Sequence, residues 1–362
     1  MSRGTIATIN FANLRRNFQV LKQLAPNKLV LVVKADAYGH GLKQVVQALK
    51  NVDCFAVATI DEALLIRRYC PTVKVLLLEG FFNVQELHTS LENNFDCVVH
   101  QQFQLDLIAQ LQSDKKINIW LKYDSGMNRL GFDDITFCQA IKQLERNKHL
   151  KQLILMSHFA SANDPNSSFT AMQKQKFLEI QNKYHGKYQL SLSNSSALLN
   201  HQHLNDEWCR VGLSLFGVSP VEQKQAADFN LLPVMTLQTN IIAIKDVIAR
   251  ATIGYSQKFT AKKATKIAII GIGYGDGYPW SLSPDAYVKI KQQKAKILGR
   301  VSMDMMAVDI SAIKNVQCGD AVLIWGDDGK DKLPVEIVAE NAKTIAYVLL
   351  CQITSRVHFN YV

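Results

Sequence analysis

Residues 29–41 read LVLVVKADAYGHG. The apolar, largely β-branched run from Leu29 to Val33 suits a strand buried on both faces. Lys34 then opens a polar stretch through Tyr38, Gly39, His40 and Gly41, which suits the loop leading from a parallel strand into a helix. Outward from this unit the pattern recurs. Similar short runs lie at Cys54–Ala58, Val73–Leu78, Phe95–His100, Ile117–Tyr123, Leu153–Ser157, Tyr188–Leu192 and within Glu207–Phe216, and segments of helical period separate them. Eight strands with this alternation predict an α/β fold, a closed (β/α)8 TIM barrel over residues 10–230.

The helices have readable faces. Asp133 and Asp134 cap a segment with Ile135, Cys138, Ile141 and Leu144 on one side, and Asn10 caps another with Phe11, Leu14, Phe18 and Leu21 in line. This first helix is expected to cover the barrel wall that no helix after strand eight covers. Beyond residue 230 the helical period fades. Runs at Val234–Ile248, Lys266–Gly271, Lys296–Ser302, Met306–Ile310 and Ala321–Trp325, separated by glycine-containing turns, predict a C-terminal, mainly β domain over residues 231–362. One helix, from Pro334 to about Lys343, interrupts it, and a strand within residues 1–9 is a candidate to join it.

Composition excludes several classes. Of 362 residues, 48% are hydrophobic and 20% charged, a globular balance that argues against a disordered chain or a coiled coil. The apolar runs are too short to span a bilayer, so no membrane association is expected. The N-terminus MSRGTIATINFANLRRN lacks the apolar core of a secretory signal, which favours the cytoplasm. Seven cysteines without a CxxC pair argue against both a disulfide framework and a zinc site. The net charge of +10 is spread over scattered lysines, concentrated only at Lys258–Lys266 and Lys289–Lys296, so anionic small molecules fit better than nucleic acid.

In a barrel of this kind, chemistry sits at the C-terminal ends of the strands. Lys34 lies at such an end. Held among apolar residues, it is a candidate Schiff-base nucleophile, against the plainer alternative of a lysine reaching out to water. Lys122, Asp124 and Arg129 in LKYDSGMNRLGF, His158 in LMSHFAS, and Asn194 with Ser195 in SLSNSSA also follow predicted strands. Each has a bland alternative: Arg129 as a surface ion pair, His158 as a satisfied polar residue, Asn194 as a helix cap. Their convergence on one rim is the signal. The loops after strands seven and eight are where such barrels hold phosphate, which implies a phosphorylated ligand at Asn194, Ser195 and CRVGLSLFG. There Gly212 is expected to start a helix, and Arg210 to point to the middle of the rim.

These motifs together resemble the bacterial alanine racemases: KADAYGHG, DSGMNRLGF, SHFASAND, NSSA, RVGLSLFGVSP, TIGYSQKF, GYGDGYP and GRVSMDMMAVD, in this order from Phe11 to Val357. The resemblance implies an enzyme interconverting L-alanine and D-alanine for peptidoglycan synthesis, with pyridoxal 5'-phosphate carried by Lys34 and Tyr255 as a second, opposed base. It implies that Tyr38, Ser195 and the backbone of Gly212 and Leu213 hold the phosphate, within a cofactor site that includes His158 and Asn194, and that Arg210 faces the pyridine nitrogen. Arg129 and the backbone N–H of Met303 take the substrate carboxylate, Tyr274 lines the entrance, and Lys122 is a candidate for carbamylation. It also implies a homodimer with active sites shared between subunits. Two positions depart from the family pattern: Ser355 stands where many members have a phosphate-binding tyrosine, and Ser191 where some have a histidine beside the pyridine-facing arginine.

Other motifs are set aside. GIGYGDG at 271–277 lacks the dinucleotide spacing, His201 and His203 lack a third metal ligand, and the glycosylation patterns at Asn166 and Asn194 have no use in the cytoplasm. Three rival functions remain: a broad-spectrum amino-acid racemase, a pyridoxal-phosphate decarboxylase, and a cofactor-binding regulatory protein. The decarboxylases place an acid, not an arginine, at the pyridine nitrogen.

Overall fold

A computed structural model describes residues 3–200 and 206–362. The first strand, β1 (Ile6–Ile9), leads directly into the helix Phe11–Leu24, whose cap Asn10 accepts a hydrogen bond from the Asn13 N–H. Leu14, Phe18 and Leu21 are buried as the spacing predicts. Asn17 on the same face donates to the carbonyls of Leu215 and Leu232, so the helix does cover the wall behind the last barrel strand.

The barrel strands are β2 (Lys28–Val32), β3 (Cys54–Val57), β4 (Val75–Leu77), β5 (Asp96–Val99), β6 (Ile117–Lys122), β7 (Leu150–Met156), β8 (Gln189–Ser191) and β9 (Trp208–Val211). They pair in parallel from β2 round to β8, and β9 returns to β2 with Leu31 opposite Val211. One backbone bond and one carboxylate tie the seam between β8 and β9. Arg210 N–H donates to the Ser193 carbonyl at 2.9 Å, and the Asp206 carboxylate accepts from the N–H groups of Leu192 and Ser193. The barrel therefore closes where Arg210 enters it.

The second body is a nine-stranded sheet containing β10 (Met235–Val247), β13 (Thr265–Ile270), β14 (Tyr287–Ile290), β15 (Gln293–Leu298), β16 (Met306–Asp309), β17 (Ala321–Asp327), β18 (Lys332–Leu333) and β19 (His358–Tyr361), while β11 (Thr252–Ile253) and β12 (Phe259–Thr260) form a separate hairpin. β1 completes the sheet, antiparallel to β10 and parallel to β19. Both ends of the chain thus belong to the β body.

Three expectations need correction, and some elements lie outside them. In the helix Asp134–Glu145 the buried stripe is Phe137, Ala140, Ile141 and Leu144, whereas Ile135 is 72% exposed. Both stripes have helical spacing, and the larger Phe137 takes the core. The strand expected at Lys296–Ser302 lies earlier, because Gly299, at φ +73°, ends it beside Ile253. Gly212 does not start a full helix: the turn Leu213–Phe216 stops at Gly217, whose φ of +72° breaks it. Strands β14 and β19 and the short helix Ala346–Cys351 were not anticipated. His201 and His203 lie outside the described residues.

Candidate active site

Lys34 begins an unusual turn. Ala35, Asp36, Ala37 and Tyr38 all have φ between 52° and 54°, so four non-glycine residues in succession are left-handed. Such residues cost roughly 1–2 kcal/mol each, and local bonds offset the cost. Asp36 accepts from the Leu42 N–H at 2.6 Å, Glu62 accepts from the Ala35 N–H at 2.7 Å, and His40 Nδ1 donates to the carbonyls of Ala37 and Tyr38. The His40 ring stacks on Phe216 at 4.3 Å, and burial lowers its pKa to about 4, so it stays neutral. The left-handed turn puts Lys34 and Tyr38 into one cavity of about 540 Å³ at the rim.

The other rim residues converge there. Tyr38 brings its hydroxyl so close to Gly212 that a Cβ at that position would meet the oxygen at 2.3 Å. Ser195 accepts from the Gly212 N–H at 2.9 Å. A hydroxyl from Tyr38, one from Ser195 and the start of the Leu213–Phe216 turn thus form a small polar cradle. Asn194 lines the cavity and also caps the helix Ser195–Asn200 by accepting from the Ala197 N–H, so its plainer role is filled as well.

Arg210 is buried yet has no carboxylate partner among the described residues. Its guanidinium donates to Ser191 Oγ, to the Ser157 carbonyl at 2.7 Å and to the Leu192 carbonyl at 3.3 Å, and it lies 3.1 Å from His158 Nδ1. Since arginine only donates, that histidine nitrogen is the acceptor. Burial, then the charges of Arg210, Lys122, Arg129 and Lys34, holds the His158 pKa well below its ordinary value. Burial pulls Arg210 down to about 10, which leaves it charged at neutral pH. Ser191, one of the departures from the family pattern, is therefore an orienting partner of Arg210.

Lys122 is buried beside these cations, and burial, followed by Arg210 and Arg129, lowers its pKa to about 7. A substantial fraction of its amine is uncharged at neutral pH, the state that carbamylation requires. Arg129 reaches the cavity from a tight loop in which Asp124 accepts from the N–H groups of Gly126 and Asn128. Gly131, at φ +125°, lies against the Lys122 and Asp124 backbone, which explains the second glycine of DSGMNRLGF.

Ser355 remains a departure from the family pattern. It is exposed and outside the cavity, whereas Tyr347 lines it, with its ring 5.9 Å from that of Tyr38. The expected tyrosine thus has a candidate eight residues earlier, on the helix Ala346–Cys351. The apolar spacing of Ala346, Leu349 and Leu350 could have revealed that helix.

The remaining predicted residues are not in this cavity. Tyr255 sits at the tip of the β11–β12 hairpin, 69% exposed, with Met303 at 52% and Tyr274 at 42%. They share one face of the β body. The Tyr274 N–H bonds to the Ser302 carbonyl at 3.1 Å, and the Gly299–Arg300 backbone passes Gly254.

Family models for the alanine racemase N-terminal and C-terminal domains match residues 9–220 and 234–361. The chain is 40% identical to the alanine racemase of Shewanella piezotolerans over 353 residues, 97% of each chain, and 38% identical to that of Vibrio cholerae over 361 residues, 99% and 98% of the two chains. This chain belongs to the alanine racemase family. Its fold superposes on the biosynthetic alanine racemase from Pseudomonas aeruginosa with a TM-score of 0.95 at 35% identity, covering 99% of both chains. For the alanine racemase from Bartonella henselae with covalently bound pyridoxal phosphate, the TM-score is 0.87 at 26% identity, with 99% of each chain covered.

Proposed function

We propose that the protein interconverts L- and D-alanine with pyridoxal 5'-phosphate, using Lys34 of one subunit and Tyr255 of its partner as opposed bases. The observation that carries this is the separation of two half-sites. One chain presents the lysine, the cradle and the buried arginine in a rim cavity, and presents Tyr255, Tyr274 and Met303 exposed on another face. A symmetric dimer completes two such sites at once.

The cavity fits the cofactor. The hydroxyls of Tyr38 and Ser195 and the Leu213 N–H suit a phosphate, with the Gly212 N–H, donated to Ser195 Oγ in this structure, and Tyr347 as further candidates, and the absence of a Cβ at Gly212 leaves room for the Tyr38 hydroxyl. Lys34 would hold the cofactor, which would supply an electron-withdrawing ring that makes the α-hydrogen of a bound amino acid more acidic. His158 and Asn194 border the same space. Arg210, held in position by Ser191 Oγ and the Ser157 carbonyl, would lie toward the ring nitrogen and would disfavour a second positive charge there. Arg129, with Lys122 or its carbamate beside it, holds the substrate carboxylate together with the Met303 N–H, and Tyr274 lines the entrance. Lys34 Nζ takes and returns the proton on the D side, and Tyr255 Oη does so on the L side. An amine and a phenol on opposite faces give racemisation rather than a one-sided exchange.

We place this chemistry in the cytoplasm, where seven free cysteines stay reduced and D-alanine enters cell-wall precursors. The deciding experiment follows a panel of L-amino acids by chiral chromatography, with and without added pyridoxal phosphate. Alanine alone should racemise at a substantial rate, dependent on the cofactor. Equal turnover of bulkier amino acids would make the protein a broad-spectrum racemase, and release of carbon dioxide a decarboxylase.

A further inference from the structure

The two loops that carry Tyr274 and Met303 are bonded to each other: Tyr274 N–H donates to the Ser302 carbonyl and Gly275 N–H to the Met303 carbonyl, at 3.1 and 2.9 Å. Beneath them lies a charge cluster that the mechanism does not use. Asp276, only 1% exposed, ends the Tyr274 turn and accepts from the Gly273 N–H at 3.0 Å. Its other contacts are Arg3, bonded to Oδ2, and Arg356, whose Nε is 3.5 Å from Oδ1. Both arginines continue to the residue after Met303. Asp304 Oδ1 lies 3.4 Å from Arg3 Nη1 and 2.5 Å from Arg356 Nη2. Arg3 also donates to the Gly271 carbonyl, and a Cβ on Gly275 would meet Arg356 Nη1 at 2.3 Å, so the glycine leaves room for the guanidinium beside the turn.

Two arginines and two aspartates thus join the N-terminal residues, the Tyr274 turn, the Met303 loop and the C-terminal segment. We propose that Arg3, Asp276, Arg356 and Asp304 form a positioning clamp that fixes the Met303 N–H and the Tyr274 ring for the carboxylate of a substrate bound in the partner's cavity. Arg3 is then a positioning residue although it stands third in the chain. This assignment rests on the shared-site arrangement proposed above. The geometry supports it in three ways: the clamp touches both loops, its buried carboxylate is bridged to both arginines, and each of its arginines spans both aspartates. A buried carboxylate held this way fixes its neighbours more firmly than an exposed pair does.

The test compares Arg3→Ala, Arg3→Lys and Asp276→Asn in the full-length holoenzyme, measuring kcat, KM for alanine and competitive inhibition by propionate, which carries the carboxylate without the amine. Arg3→Ala and Asp276→Asn should raise KM and the propionate inhibition constant together, by about fivefold or more, with a smaller change in kcat. Arg3→Lys, which keeps one charge but loses the two-carboxylate fork, should fall between. Arg3 is partly exposed, so its variants remain informative if Asp276→Asn does not fold. A lower melting temperature with KM and propionate inhibition unchanged in Arg3→Ala would make the cluster a structural tie only and overturn the assignment. Tyr274→Phe and Tyr255→Phe separate the two levels. If they impair activity while Arg3→Ala leaves KM and propionate inhibition unchanged, the clamp alone fails, and if they too are silent, the shared-site arrangement fails with it.

Discussion

Replacing Gly212 with alanine should weaken the cofactor's hold through one contact. A Cβ built there lies 2.3 Å from Tyr38 Oη and 2.9 Å from its Cζ, whereas non-bonded heavy atoms settle at about 3.5 Å, so the phenol must retreat by roughly 1 Å. Gly212 has φ −126° and ψ −88°, outside the regions open to alanine, so Tyr38→Phe, which removes the hydroxyl without touching that backbone, is the variant that isolates the contact. The ring has little room to yield, with Phe216 at 5.3 Å on one side and Tyr347 at 5.9 Å on another. A displacement of that size takes the hydroxyl out of hydrogen-bonding range of a phosphate. A bond to a charged group is worth about 1.5–3 kcal/mol, or roughly 10- to 150-fold in dissociation constant. The assay is an absorbance titration of the apoprotein with pyridoxal phosphate. Tyr38→Phe should give a similar loss, and the double variant less than the product of the two, because each removes the same contact. A dissociation constant for Gly212→Ala within threefold of wild type would show that the Tyr38 hydroxyl does not serve the phosphate.

Three further outcomes are expected. Borohydride reduction of the purified protein should fix the cofactor to Lys34, and a peptide map with the label on another lysine would exclude it as the carrier. Mixing inactive Lys34→Ala and Tyr255→Phe proteins should restore activity up to roughly a quarter of wild type after statistical subunit exchange, since half the dimers then carry one intact site. Continued inactivity after exchange is verified by mass spectrometry would mean that each site is built within one chain. Lys122 predicts a pH dependence of stability. Its pKa falls to about 7 in the fold from an unfolded value of about 10.4, so the unfolded chain binds the extra proton between these values and stability rises with pH across that window. Denaturation midpoints at pH 6.5 and 9 should therefore differ more for wild type than for Lys122→Met, and equal differences would count against the charge assignment.

The barrel was legible because each of its strands is buried on both faces, which writes a continuous apolar run into the sequence. The β body was less so. Its long strand β10 has a mixed pattern of burial, and β14 and β19 are partly exposed, so their runs are broken by lysine, asparagine and histidine. The rim residues Lys34, His158 and Ser195 stood out because a polar residue directly after an apolar strand has few places to go. Tyr347 did not, because its helix is six residues long and its relation to Tyr38 is made only by tertiary packing.

Tyr255, Tyr274 and Met303 were invisible to that reasoning for a different reason. They sit on exposed turns, and within one chain their side chains do not reach the cavity of Lys34. Nothing in their local pattern distinguishes them from ordinary turn residues, and only the family resemblance singled them out. In the proposed shared site Lys34 comes from the barrel rim and the second base from the partner, on a surface that a single chain leaves exposed. On that account the exposure of Tyr255 and Met303 is what the proposed shared site would require of a single chain, and the loops behind them rest on a charge cluster in which Asp276 is buried while Arg3, Arg356 and Asp304 are partly exposed: a surface loop that is to place a phenol and an N–H against a partner's ligand needs a rigid support of its own.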